Sequence, residues 1–200
     1  MSAAFFVEPE FQETGSFIYR LYRGALGRQL SYAEFSTDRQ QVIGGPNLDS
    51  SKAAFAYAFV ARAEFIQKYQ ASTSAESFVD ALLQTISGAG GGDLSSERSN
   101  LIAVYNSGAN PNASRSLVVR TLAENAAFSQ SVYNEAFVLM EYFGYLRRGP
   151  DQEGYDFWLN VLNNREPGNY RGMVCSFITS IEYQKRFSPV ITRSNAECGR

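Results

Sequence analysis

The sequence predicts an all-α protein, read as tandem helical units of about sixty residues packed into one elongated or compact helical array. Three observations lead there. Apolar residues recur at i, i+3, i+4, i+7 in many segments, while strand-type alternation is almost absent. One helical hairpin pattern returns along the chain at a constant offset. Glycine and proline clusters interrupt the chain between these segments.

The hairpin is clearest in the stretch from Phe137 to Trp158. Leu139, Tyr142, Phe143 and Leu146 share one helical face, Arg147 and Arg148 suit the negative helix end, and Gly149-Pro150 stops it. Asp151 is a natural N-cap, after which Tyr155, Trp158, Leu159 and Leu162 repeat the spacing. Phe17, Tyr22, Gly24, Leu26 and Arg28 return as Phe137, Tyr142, Gly144, Leu146 and Arg148. Phe78-Val79 with Leu82, Leu83, Ile86 and Gly88 reads as a degenerate copy between them. A second, closing element also recurs as apolar pairs: Phe5/Phe11, Phe59/Phe65, Leu122/Phe128 and Phe177/Tyr183. Glu10, Glu64 and Glu182 precede the second member in three of these, and Ala127 does so in the weak copy.

The units therefore run over residues 16–70, 74–133 (degenerate) and 134–188, with 1–15 the end of a preceding unit and 189–200 a tail. Ser31-x-x-Glu34 and Thr73-x-x-Glu76 read as capping boxes. Asn110-Pro111 and Glu166-Pro167 place proline near first helical positions. Ile18, Leu21, Tyr22 and Ala25, and Tyr170, Met173, Val174 and Phe177, follow the helical template. Gly44-Gly45-Pro46-Asn47 and the run Gly88-Ala89-Gly90-Gly91-Gly92 are breaks, since each interior glycine costs a helix about 1 kcal/mol. The opening Met1-Ser2-Ala3-Ala4-Phe5-Phe6 starts an apolar helix with no polar lead-in, which reads as the interior of a longer polypeptide. That first helix is expected to be an exposed, adhesive end.

Composition excludes several function classes. A net charge of −2 gives no basic field for nucleic acid. No window approaches the roughly 18 uninterrupted apolar residues of a membrane span, and no signal peptide stands at Met1. With 15 Phe and 12 Tyr there is ample apolar surface for burial. Histidine is absent, which removes the commonest general base, the usual triads and most zinc sites. Cys175 and Cys198 are too few for a thiolate metal site, and spacing leaves open whether they pair. No Gly-x-Ser-x-Gly elbow occurs, and the glycine run from Gly88 lacks the Lys-Ser/Thr ending of a phosphate loop.

The hairpin residues resemble the bacterial family termed domain of unknown function 4214. Leu21-Tyr22-Arg23-Gly24-Ala25-Leu26-Gly27-Arg28 matches the first half of its core motif. Arg148-Gly149-Pro150-Asp151-Gln152-Glu153-Gly154-Tyr155-Asp156-Phe157-Trp158 matches the second. Ser180-Ile181-Glu182-Tyr183 and Glu10-Phe11 match its closing element. Gln29-Leu30-Ser31 departs from the family's Pro-Asp, and Gly88–Asp93 departs in the middle copy. The family is similar to the linker repeats of cyanobacterial light-harvesting antennae and tends to lie near the C-terminus of large secreted or surface proteins. The resemblance thus implies attachment or assembly and carries over no catalytic residue.

Tyr22, Arg28, Tyr142, Arg148, Asp151, Tyr155 and Trp158 form the candidate interaction or structural signature. Arg28, Arg147 and Arg148 read either as helix-end cations paired with a first-turn carboxylate such as Asp151 or Glu153, or as an anion clamp. Tyr142, Tyr145, Tyr155 and Trp158 read as core aromatics or as a sugar-stacking platform. Asp151, Glu153 and Asp156 are the remaining acid–base candidates, and Asp151-Gln152-Glu153-Gly154 falls short of a calcium loop. Asn112-Ala113-Ser114 matches a glycosylation triplet. The expectation is a non-enzymatic, cofactor-free interaction and assembly module of a secreted or cell-surface bacterial protein. Its partners would be other chains, copies of itself or a surface glycan, without nucleic acid or membrane insertion. A carbohydrate-binding module and a carboxylate-dependent hydrolase are the alternatives.

Overall fold

The computed structural model describes residues 9–198, with side chains from Glu13 onward. The apolar opening segment 1–8 and the Phe5/Phe11 pair lie outside what is described. The fold is all-α, with no strand among the described residues. It divides into two compact units, Glu13–Tyr133 and residues from Asn134 onward.

Helix α1 (Pro9–Leu21) runs directly into a π-helical turn, Tyr22–Leu26. Gly27 ends it with φ of 76°, a left-handed conformation that glycine adopts without steric cost. The stripe Ile18, Leu21, Tyr22 and Ala25 is buried, as its spacing requires. Helix α2 (Tyr32–Asp38) starts at Ser31, whose hydroxyl and Glu34 complete the reciprocal capping box. Past a 3₁₀ turn at Gly45–Asn47 come α3 (Leu48–Val60) and the short α4 (Ala63–Lys68).

Helix α5 (Ala75–Gly88) is capped by Ser74 and Ser77, not by Thr73 and Glu76 as the sequence suggests. The serine one place later has the extended backbone that an N-cap needs, with ψ of 166°. Helices α6 (Arg98–Asn106), α7 (Pro111–Ala123) and α8 (Ala126–Ser131) follow. Asn110 caps α7 with Pro111 at its first turn, and Ser114 of the glycosylation triplet is buried there. Helix α7 lies along both α3 and α6, while α5 packs on α6 and on the π-turn. Gly24 on that turn admits the Phe128 ring, which an added Cβ would meet at 3.1 Å. Residues 16–70 and 74–133, distinct by sequence, thus share one core.

In the second unit α9 (Tyr133–Glu141) also passes into a π-turn, Tyr142–Leu146. Arg147 ends it in the left-handed region, φ 54°, where the first unit has Gly27. Helix α10 (Gln152–Asn160) is capped by Asp151 and continues into a π-turn at Val161–Arg165. Pro167 does not open the next helix. Asn169 caps α11 (Tyr170–Ile178), and Ser180 caps α12 (Ile181–Lys185). Cys175 and Cys198 form a disulfide that ties the C-terminal segment to α11.

Glu141, the last residue of α9, is fully buried, and neither carboxyl oxygen has a hydrogen-bond partner. It precedes Tyr142 as the buried Leu21 precedes Tyr22. Burial raises its pKa well above the ordinary value of 4.5, with no charged neighbour contributing. The folded state therefore favours the protonated acid, and stability falls as pH rises from 4.5 toward the folded-state value. Replacing Glu141 with Leu should stabilise the protein at pH 7 by about 1–3 kcal/mol in urea unfolding. The gain should shrink as pH is lowered from 7 toward 4.5 and level off below it. An unchanged or lowered neutral-pH stability would show that the carboxylate is accommodated.

Candidate functional site

Tyr22 with Arg28, and Tyr142 with Arg148, form one arrangement built twice. Arg28 follows the first π-turn, and its Nε and Nη2 donate to the two Glu64 oxygens, both at 2.7 Å. Its Nη1 donates to the Gln29 carbonyl at 3.0 Å. Arg148 follows the second π-turn, and its Nε and Nη2 donate to Glu182 at 2.7 and 2.9 Å. Its Nη1 reaches the Gly149 carbonyl at 3.0 Å. Each guanidinium also lies over the ring of its π-turn tyrosine, 5.1 Å from Tyr22 and 5.3 Å from Tyr142. Each tyrosine meets a phenylalanine edge-on, Phe59 at 5.1 Å and Phe177 at 5.0 Å. The planar fork of arginine matches a carboxylate in two parallel bonds, so the short closing helices α4 and α12 are held to the π-turns in one register.

The π-turns carry a further link. The Tyr69 hydroxyl donates to the Ala25 carbonyl at 2.7 Å, and the Arg186 guanidinium donates to the Tyr145 carbonyl at the matching place. A wider turn breaks the i to i−4 ladder and leaves carbonyls in need of donors. Here a side chain from just after the closing helix supplies one in each unit.

The two copies differ on their second side. In the first, Glu34 also accepts from Arg28, at 2.7 and 3.2 Å. Burial alone would raise the Glu34 carboxyl, but Arg28 and the Ser31 donors bring it down to about 2. Tyr22 donates to Asp38 at 2.8 Å, and Arg62 holds that carboxylate with both terminal nitrogens. In the second copy Gly154 stands where Glu34 does, and a Cβ there would lie 2.4 Å from the Tyr142 hydroxyl. Trp158 takes the place of Asp38, with its ring 5.5 Å from Phe177. Asp151 accepts from the Gly154 amide at 2.8 Å and sits 3.7 Å from Arg148.

The sequence left the arginines between a first-turn pair and an anion clamp. Both pair with first-turn carboxylates: Arg28 with Glu34 at 2.7 Å and Arg148 with Asp151 at 3.7 Å. Each also holds a glutamate some thirty-five residues downstream, Glu64 or Glu182, in the first turn of its closing helix. The recurrence of a glutamate before each closing aromatic, beside a recurring arginine, was the available signal. Arg147, which the sequence groups with them, ends the π-turn and is exposed. Glu153 and Asp156 are exposed on the first turns of α10, and Asp156 accepts from Gln152 at 2.9 Å.

Of the aromatic set, Tyr142, Tyr145 and Tyr155 are buried and Trp158 is half-buried. The exposed stacking surface is Phe157, which the sequence reading passed over, edge-on to Trp158 at 5.1 Å. These two rings line a cleft of about 300 Å³ with Arg165, Glu166, Asn169 and Asn195. Asn169 is already engaged as the α11 cap, and Asn195 accepts from Thr179 at 2.6 Å. Among the described residues, no group of three or more acidic, cysteine or histidine side chains could hold a metal ion. No described helix is long and apolar enough to cross a membrane.

The hydrogen bonds from Arg28 and Arg148 lower the Glu64 and Glu182 carboxyls. Their contribution to stability is therefore complete above the ordinary carboxylate range and lost as pH falls through the lowered values. Double-mutant cycles for Arg28–Glu64 and Arg148–Glu182 should give coupling of about 0.5–1 kcal/mol each, because solvent screens these half-exposed groups. Lysine at either arginine should recover less than half of it, lacking the fork. Zero coupling at both sites would make the pairs incidental.

Residues 119–187 match the family model described as a domain of unknown function (DUF4214). No curated protein and no solved structure matches the chain. The matched segment carries Tyr142, Arg148, Asp151, Tyr155, Trp158 and Glu182, and the model it matches is that of the family its motifs resemble.

Proposed function

We propose that the protein is a non-enzymatic interaction and assembly module of a secreted or cell-surface bacterial protein, organised as tandem helical units. The observation that carries this reading is the pair of matching arginine–glutamate latches. In each, the signature residues close a helical unit on itself, and their carboxylates are held ionised against arginine. Side chains committed in this way set the shape of a unit and leave its outer faces for partners. Repeated units that bury matching faces can also join between chains. The Cys175–Cys198 disulfide supports an oxidising compartment, where such bonds persist.

A second reading, carbohydrate binding, is favoured by the Phe157–Trp158 cleft, where exposed aromatic surface stands beside polar side chains. Light scattering on the purified chain separates the two. The assembly reading expects a mass above the monomer that grows with protein concentration from about 10 μM to 1 mM. A strictly monomeric chain whose glycan-array binding disappears with Trp158→Ala would overturn it in favour of the carbohydrate reading.

A further inference from the structure

We propose that the closing face of the second unit is a docking groove for one amphipathic helix, of the type that α5 supplies within the first unit. This deepens the assembly reading, and rests on it, by naming the partner's chemistry.

In the first unit the closing helix carries Phe65, followed by Tyr69 just past its end. Helix α5 covers both: the Phe78 ring lies 6.1 Å from Phe65 and 5.1 Å from Tyr69. All three rings are at most 1% exposed. Phe128 in turn covers Gly24 on the π-turn. In the second unit Tyr183 and Phe187 stand to Glu182 as Phe65 and Tyr69 stand to Glu64. Their rings are 5.1 Å apart, yet Phe187 is 70% exposed and Gly144, the counterpart of Gly24, is exposed. Ile181 and Val190 add 59% and 63% exposed apolar side chains to the same region of chain. Tyr183, Phe187 and Val190 are more than scattered surface apolars, because the matching positions Phe65, Tyr69 and Ser72 are buried where a following helix is present.

Among the described residues the chain's own continuation forms no covering helix and instead edges the groove with Val190 and Arg193. Where the first unit leads from Tyr69 into α5, the second leads from Phe187 into a segment held by Gln184. That side chain donates to the Arg193 carbonyl at 3.0 Å and accepts from the Thr192 and Arg193 amides at 3.0 and 2.9 Å. The disulfide anchors the segment at Cys198. A groove of about 280 Å³ remains, lined by Ile178, Tyr183, Phe187, Val190 and Arg193.

The occupant that fits is a helix with an aromatic–β-branched pair one turn before a leucine, as in Phe78, Val79 and Leu82. Charge agrees with this. Helix α5 carries Glu76 and Asp80 and no basic residue, while Arg193 lines the groove and Lys185 stands beside Phe187.

A fluorescein-labelled peptide of residues 74–90, titrated with the full chain, tests the assignment. Saturable binding is expected, weakened at least tenfold by Phe187→Asp in the protein and by Phe78→Ala in the peptide. Phe187 is exposed, so the variant should keep the parent's circular dichroism, and Val190→Asp provides a second variant at an exposed residue that also lines the groove. No saturable binding overturns the groove. So does binding that both folded variants leave unchanged, since the peptide would then be displacing the chain's own α5. Loss of self-association with intact peptide binding counts against the assembly reading alone, and failure of the peptide to bind counts against the groove alone.

Discussion

The tie between a π-turn arginine and a downstream glutamate is the constraint around which each unit is organised. Short helices such as Ala63–Lys68 and Ile181–Lys185 are far below the length at which a helix holds itself in water. Their position has to come from tertiary contacts. Arg28 and Arg148 supply a bidentate anchor at one end, and Tyr69 and Arg186 supply a donor to the π-turn carbonyl at the other. Once the closing helix is placed, its aromatic residues complete the core: Phe65 against Phe59, and Tyr183 against Tyr145.

Neither tie is strong alone. Both glutamates are about half exposed, so solvent screens the attraction, and the closing helices take most of their stability from aromatic burial. The latch contributes register. A fork-to-carboxylate contact is satisfied in one orientation only, whereas apolar surfaces alone tolerate sliding. This division of labour also explains the asymmetry between the copies. Asp38 and Arg62 can replace the Trp158 environment around the tyrosine because the arginine–glutamate geometry is untouched by the exchange.

Much of the architecture was legible in the sequence, since helical spacing and capping chemistry are local. Ser31–Glu34, Asn110-Pro111 and Asp151 each define a helix start as read. The misplaced starts, at Thr73 and Pro167, fall where a neighbouring serine or asparagine competes for the same cap. The π-turns could not be read, because Tyr22–Leu26 and Tyr142–Leu146 keep helical composition and differ only in backbone hydrogen bonding. The role of Glu64 and Glu182 was half visible: the recurrence was plain, but pairing across thirty-odd residues is a tertiary fact. Glu141 was hidden for the opposite reason. It sits at an apolar position of the stripe, and its carboxyl is enclosed only once the tertiary fold has formed.

The most direct test of the latch as the organising contact is amide hydrogen exchange on the full chain with Glu64→Gln and Glu182→Gln. Lost protection should be confined to Ala63–Lys68 with Tyr22–Leu26 in the first variant, and to Ile181–Lys185 with Tyr142–Leu146 in the second. Helices Leu48–Val60 and Pro111–Ala123 should keep theirs. Protection that falls uniformly, or does not change in the closing helices, would contradict the account.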